Sequence, residues 1–155
     1  MDFLGDQQWL LIALVFFGII AYIAWIRRRD RQWINSRFDP KAIKAMSFGV
    51  NYFGLVSEPG SPRRSSGFLI LLKDRLFYRS RLKRLELEIP GSAIFHVDHD
   101  RSHKGVNLHQ SVVKVFFINE RKEKDCAAFK LPYPPQWIKA IENNFLVNTG
   151  KQADV

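Results

Sequence analysis

Residues 9–26, with the sequence WLLIALVFFGIIAYIAWI, constrain this chain more than any other segment. They include no charged residue and no proline, and a run of arginines begins at Arg27. As a helix, these eighteen residues would extend roughly 27 Å, close to the thickness of the hydrocarbon core of a bilayer. A helix on the surface of a soluble protein shows a polar stripe, and this segment shows none. The segment therefore predicts a transmembrane helix.

The residues around this segment favour an uncleaved anchor over a signal peptide. Trp9 lies at one end, and Tyr22 and Trp25 lie near the other, where aromatic rings prefer the membrane interfaces. A signal peptide begins with basic residues and ends at a small-residue cleavage site. Asp2 and Asp6 make this N-terminus acidic instead.

The distribution of charge predicts the orientation of the anchor. Basic residues follow it closely: Arg27, Arg28, Arg29, Arg31 and Arg37. The positive-inside rule therefore places residues 1–8 outside and the remainder in the cytoplasm, at the plasma (inner) membrane. All 24 basic residues follow the segment, against 13 of the 15 acidic ones, which gives that part a formal charge of +11. The single cysteine, Cys126, fits a reducing compartment.

About 130 residues follow the anchor, enough for one compact domain. We predict a basic juxtamembrane connector over 27–47, the domain over 48–147 and a flexible tail over 148–155. Asp39 and Pro40 predict a short helix over 40–46, with Asp as the cap and Pro at the first position. The arginines of the connector set the topology. The aromatic residues among them leave open whether it also lies on anionic lipid headgroups.

From Phe48 onward, apolar residues alternate with polar ones, which predicts β-strands. About seven are expected, near 48–55, 67–72, 76–80, 85–89, 93–97, 112–118 and 127–131. A polar loop is expected over 99–110. Pro134 and Pro135 predict the start of a helix whose apolar stripe is formed by Trp137, Ile141 and Phe145. Since a small antiparallel sheet must hide its apolar face, we expect a partial barrel that this C-terminal helix caps.

Several of these segments resemble a PH-like domain of the GRAM or bacterial PH type. The resemblance lies in Gly67-Phe68-Leu69, Leu76-Phe77, Leu87-Glu88-Ile89-Pro90 with Ile94 and Val97, Val113-Lys114-Val115-Phe116, Phe129 and Trp137-Ile138. It covers roughly Phe48 to Phe145. The resemblance implies a partial barrel of two sheets, a binding role toward lipids or proteins, and no catalytic chemistry.

The strongest candidate site is a basic hairpin. Eight cations lie between positions 63 and 84: Arg63, Arg64, Lys73, Arg75, Arg79, Arg81, Lys83 and Arg84. In PH-like domains that bind phosphoinositides, the first hairpin supplies the cations, and Lys73-x-Arg75 and Arg79-x-Arg81 are similar in placement, although their spacing departs from the strict motif. Arginine pairs bidentately with phosphate, so anionic headgroups are the expected ligand. The alternative is a solvated basic face.

A second cluster of polar residues could in principle bind a metal ion. It consists of His96, Asp98, His99, Asp100, His103 and His109. His96 and Asp98 fall on one face of a predicted strand while His99 points away, and no cysteine joins them. Because a tetrahedral site needs convergent ligands, we predict a polar loop without a metal.

No nucleotide-binding loop, nucleophile elbow or zinc-protease motif is present in the sequence, and Cys126 has no evident basic partner. We therefore predict a protein that is not an enzyme and needs no cofactor or small-molecule substrate. The aromatic residues follow a core period rather than a stacking pattern, which argues against nucleic acid. The favoured function is a cytoplasmic module, held at the membrane, that binds anionic lipid or an unidentified protein partner. The alternative is an accessory subunit whose helix packs against other transmembrane helices.

Overall fold

A computed structural model describes residues 3–82 and 84–147. Lys83, the predicted tail 148–155 and the first two residues lie outside that description. Contacts between residues divide the chain into two units, Met1–Pro40 and Lys41–Val155.

The first unit is one long helix, α1, which spans Phe3–Arg37. It continues beyond Ile26 through the basic residues, and it includes one segment long and apolar enough to cross a membrane. The large apolar side chains from Trp9 to Trp25 are exposed, from 45% for Ile23 to 72% for Trp9. A core helix of a soluble protein would bury such side chains, because their exposure to water is unfavourable.

In its described residues, the second unit contains seven strands and a C-terminal helix. The strands are β1 (Ile43–Leu55), β2 (Ser65–Leu72), β3 (Arg75–Ser80), β4 (Glu86–Pro90), β5 (Ile94–His103), β6 (Val106–Ile118) and β7 (Lys124–Lys130). The helix α2 spans Pro134–Ile141 and continues as a π-helical turn over Glu142–Leu146.

All neighbouring strands are antiparallel, in the order β4-β3-β2-β1-β7-β6-β5. The sheet is open, and β4 and β5 form its two ends. This single open sheet with a C-terminal helix confirms the predicted fold class and is consistent with a PH-like fold.

The main core lies on the inner face of the sheet. Its centre is a cluster of three aromatic rings, Tyr52, Tyr78 and Phe129, whose centroids lie 5.0 to 5.7 Å apart. Helix α2 covers this core together with its π-helical turn. Trp137, Ile141 and Phe145 are all buried in it, as their spacing predicts.

The predicted helix over 40–46 is wrong. Pro40–Ala42 forms a single 3₁₀ turn, and β1 already begins at Ile43, which pairs with Leu72 of β2. Pairing with β2 satisfies the backbone of this segment, so tertiary context outweighs the local helix signal of Asp39 and Pro40.

The predicted loop over 99–110 is also wrong. These residues form the end of β5, a two-residue turn and the start of β6. Lys104 and Gly105 have φ values of +53° and +74°, and positive φ at both central residues is the signature of a type I′ hairpin turn. Apart from the buried His103, the polar residues belong mostly to exposed strand faces, which resemble a loop in composition.

Candidate functional site

The strand topology divides the predicted basic hairpin into separate groups. Lys73 and Arg75 lie at the β2–β3 turn, and Arg79 lies near the far end of β3. Arg63 and Arg64 precede β2, while Arg81 and Arg84 follow β3, at the opposite end from the turn. From position 75 to position 81, a strand advances about 20 Å. The seven cations that the structure describes therefore do not converge on one pocket, and the eighth, Lys83, lies outside the described residues.

The two strand arginines pair with acidic residues of β4. Arg75 Nη1 lies 3.4 Å from Glu88 Oε2, and Arg79 Nε lies 3.8 Å from Glu86 Oε1. Arg75 also donates two hydrogen bonds of 3.2 Å to Asp74, which lower the pKa of that carboxyl. These pairs are partly exposed, and such pairs contribute little to stability. They do, however, offset the positive charge that β3 presents.

Hydrogen bonds connect the two loops that carry the remaining arginines. The Arg81 N–H donates to Ser66 O at 2.9 Å, and the Ser80 N–H donates to Leu85 O at 2.8 Å. The Ser65 hydroxyl donates to the Ser80 hydroxyl at 2.8 Å. These contacts place the β1–β2 and β3–β4 loops side by side. We call their four arginines the basic end: Arg63, Arg64, Arg81 and Arg84.

An exposed leucine lies within the basic end. Leu82, between Arg81 and Lys83, is 88% exposed, more than any other large apolar side chain in residues 7–82 and 84–147. A leucine in water is unremarkable when it stands alone. A leucine flanked by cations at a loop tip suits a membrane surface, where the apolar group enters the interface and the cations meet phosphates. Leu82 was not among the predicted site residues. The signal that could have found it is an apolar residue within a run of basic residues that directly follows a predicted strand.

A second feature is a cavity of about 730 Å³, which we place at the opening of the sheet because it is lined by the ends of β1, β4 and β6 and by the loops that follow them. Its apolar lining includes Leu55, Leu87, Ala93 and Phe117. Its charged lining residues are Glu58, Glu88, Glu120, Asp125 and Arg121. Sequence analysis missed this set entirely, because its members are widely separated along the chain and only the fold brings them together.

The predicted polar cluster is split between two environments. Asp98 lies near both His96 and His99, at 3.9 and 3.7 Å, and all three are exposed. His103 instead lies in the interior, where its Nε2 is 2.8 Å from Gly54 O. Burial lowers the pKa of His103, and the nearby Lys114 and Lys104 act in the same direction. In the described part of the chain, no three such side chains are grouped to hold a metal ion.

Cys126 packs in the interior of the domain. It is 4% exposed, and burial raises the pKa of its thiol to about 11. A thiol is a nucleophile only as thiolate, so this cysteine is poorly reactive at neutral pH.

Two arginines of α1 lie over its tryptophan rings. The Arg29 guanidinium lies 5.4 Å from the Trp25 ring centre, and that of Arg37 lies 5.1 Å from the Trp33 ring centre. Such cation–π pairs orient flat guanidinium groups along the helix, four residues apart.

Comparison with known proteins identifies similarity in fold only. No protein-family model and no curated protein matches this chain. A chain of the 8S snRNP assembly intermediate superposes with a TM-score of 0.53 at 6% identity, covering 68% of this chain and 83% of that one. The C-terminal domain of a Leishmania infantum protein gives 0.50 at 14% identity, covering 80% and 98%. The Vps36 N-terminal PH domain gives 0.45 at 15% identity, covering 65% and 79%.

Proposed function

We propose that this chain is a single-pass membrane protein whose PH-like module binds anionic lipid headgroups through the basic end. The observation that carries the proposal is the exposure of Leu82 among four arginines at one end of the sheet. Arginine supplies charge-assisted hydrogen bonds to phosphate, and leucine supplies an apolar group for the interface. The module is a binding domain and not an enzyme.

The anchor supports this function by raising the local concentration of lipid around the module. A tethered module meets the membrane as an intramolecular partner, so each contact can be weak and still be occupied. Each basic side chain near an anionic surface contributes about 1 kcal/mol. Two features of α1 support a membrane helix with the module in the cytoplasm. They are its exposed apolar surface and the arginines that begin at Arg27.

The test follows the environment of position 82 in the full-length protein in nanodiscs. Leu82→Cys is labelled with an environment-sensitive fluorophore, in phosphatidylcholine alone or with added phosphatidylserine. We expect emission to shift to the blue only when phosphatidylserine is present, because the loop then enters the interface. Arg64→Gln with Arg84→Gln removes one exposed cation from each loop, so the contact should weaken by about 2 kcal/mol.

The matched control removes two exposed cations elsewhere, Lys73→Gln and Lys139→Gln, and should leave the shift intact. High salt should reduce the shift, since exposed charges are screened. A shift that is equal in both lipid mixtures, or equal losses in both double variants, would contradict the proposed lipid contact.

A further inference from the structure

The cavity at the opening of the sheet follows the edge of β4. Leu87 and Glu88 are neighbours in a strand, so their side chains point to opposite faces of the sheet, yet both line the cavity. The same holds for Phe117 and Ile118 at the end of β6. Since β6 pairs with β5 on one side and with β7 on the other, the cavity meets both faces of β6 at the end of that strand, and it meets both faces of β4 along its outer edge. Because β4 ends the strand order, this edge is a place where another strand could pair.

The cavity has the opposite charge to the domain around it. Residues 41–155 contain 19 basic and 11 acidic residues, a formal charge of +8. The cavity lining contains four acidic residues and one basic residue, a formal charge of −3. Its apolar residues, Leu55, Leu87 and Phe117, belong to or adjoin the main core. A ligand that fits this space must carry positive charge and present apolar groups. Anionic lipid does not.

We infer that the cavity binds an extended, basic segment of a protein partner, which pairs with the edge of β4. Backbone hydrogen bonds to the strand edge give affinity in this mode of recognition, and alternate side chains give specificity. Since β4 has five residues, it accommodates about 17 Å of extended chain. Side chains facing inward would be apolar, and a lysine or arginine would meet the acidic residues.

Three of the four acidic residues are available to such a ligand. Asp125 is buried and already accepts hydrogen bonds from the Ser57 N–H at 3.1 Å and the Ser57 hydroxyl at 2.5 Å, so it holds the β1–β2 loop in place. Glu58 and Glu120 are exposed. Glu58 Oε2 accepts a hydrogen bond of 3.3 Å from the Leu55 N–H, and a carboxylate has further acceptor positions for a cation. Glu88 pairs with Arg75 at the surface, and a cation of the ligand can replace an exposed partner of this kind.

The experiment selects ligands from a displayed library of random seven-residue peptides, using the full-length protein in nanodiscs of phosphatidylcholine. Neutral lipid prevents basic peptides from binding the membrane itself. We expect the enriched peptides to alternate lysine or arginine with apolar residues and to bind saturably. Glu88→Gln with Glu120→Gln should weaken the best peptide at least tenfold. Hydrogen exchange of the β4 amides should slow when the peptide binds.

Glu123→Gln is the matched control, because Glu123 lies in the same β6–β7 turn as Glu120 and is not among the residues that line the cavity. It should leave the affinity within twofold. The inference is overturned if no peptide binds saturably or if the enriched peptides are acidic or uncharged. Equal affinity for the double variant, or unchanged β4 exchange, overturns it as well. None of these outcomes depends on lipid binding by the basic end.

Discussion

His103 shows how one buried side chain joins two parts of the domain. It lies at the end of β5 and is fully buried, and its Nε2 hydrogen-bonds Gly54 O of β1 across 49 positions of sequence. Its Nδ1 is buried without a hydrogen-bond partner. A second proton would therefore sit in an apolar environment beside Lys114 and Lys104, which disfavours the charged form.

This arrangement predicts a loss of stability in mild acid. The pKa of His103 is lower in the folded than in the unfolded state. The neutral His103 side chain therefore makes its full contribution to stability above about pH 6.5, the pKa of the unfolded state. This contribution is lost as the pH falls from there toward the folded pKa. The midpoint of thermal unfolding of the full chain should therefore decrease as the pH falls below about 6.5.

The control variant is His103→Gln, whose amide can donate to Gly54 O but does not titrate. It should flatten the pH dependence in this window. Asp74 and Asp100 have lowered pKa values and so affect stability only below their ordinary range near 3.8. An unchanged slope in His103→Gln would contradict the assignment to His103.

Among the elements, those with regular patterns were predictable and those defined by pairing were not. A continuous apolar run located β2, the tight turn after it located β3, and alternation located β4. The spacing of apolar residues located α2 and its buried face. The end of β5 and the start of β6 carry polar side chains on exposed faces, so their composition resembled a loop. The division of the basic hairpin depends on the register of β3 with β4, because Arg79 lies directly opposite Glu86. Composition alone does not provide that register.

The docking of α2 gives a prediction about stability. Phe145 is 7% exposed and lies against Gly91, where an added β-carbon would come within 2.2 Å of its ring. Phe145→Ala should therefore leave a cavity and lower the free energy of unfolding by about 3–5 kcal/mol.

Tyr133→Ala serves as the comparison, because Tyr133 immediately precedes α2 and is 71% exposed. It should change the free energy of unfolding by less than about 0.5 kcal/mol. Denaturant titration of the full-length protein in detergent micelles measures both. Similar losses for the two variants would show that the buried stripe does not anchor the helix.

For the whole molecule, the sequence predicted the apolar helix, the sheet and the sign of the net charge, but not the distribution of that charge. The acidic residues of the cavity lie at positions 58, 88, 120 and 125, too far apart to form a motif. The fold gathers them while it leaves a separate group of arginines at the basic end. The domain thus offers two surfaces of opposite charge, which we assign to lipid and to a basic protein segment.

These assignments require that α1 spans the membrane and that the domain lies on the cytoplasmic side. Gln7→Cys provides an exposed thiol before the apolar segment, and Leu82→Cys provides one in the domain that follows it. The native Cys126 stays unreactive because burial raises its pKa to about 11. Cells expressing each full-length variant are treated with a membrane-impermeant maleimide. We predict that position 7 is labelled in intact cells and that position 82 is labelled only after permeabilisation. Labelling of position 82 from outside, or a shortened chain that has lost residues 1–26, would contradict the account.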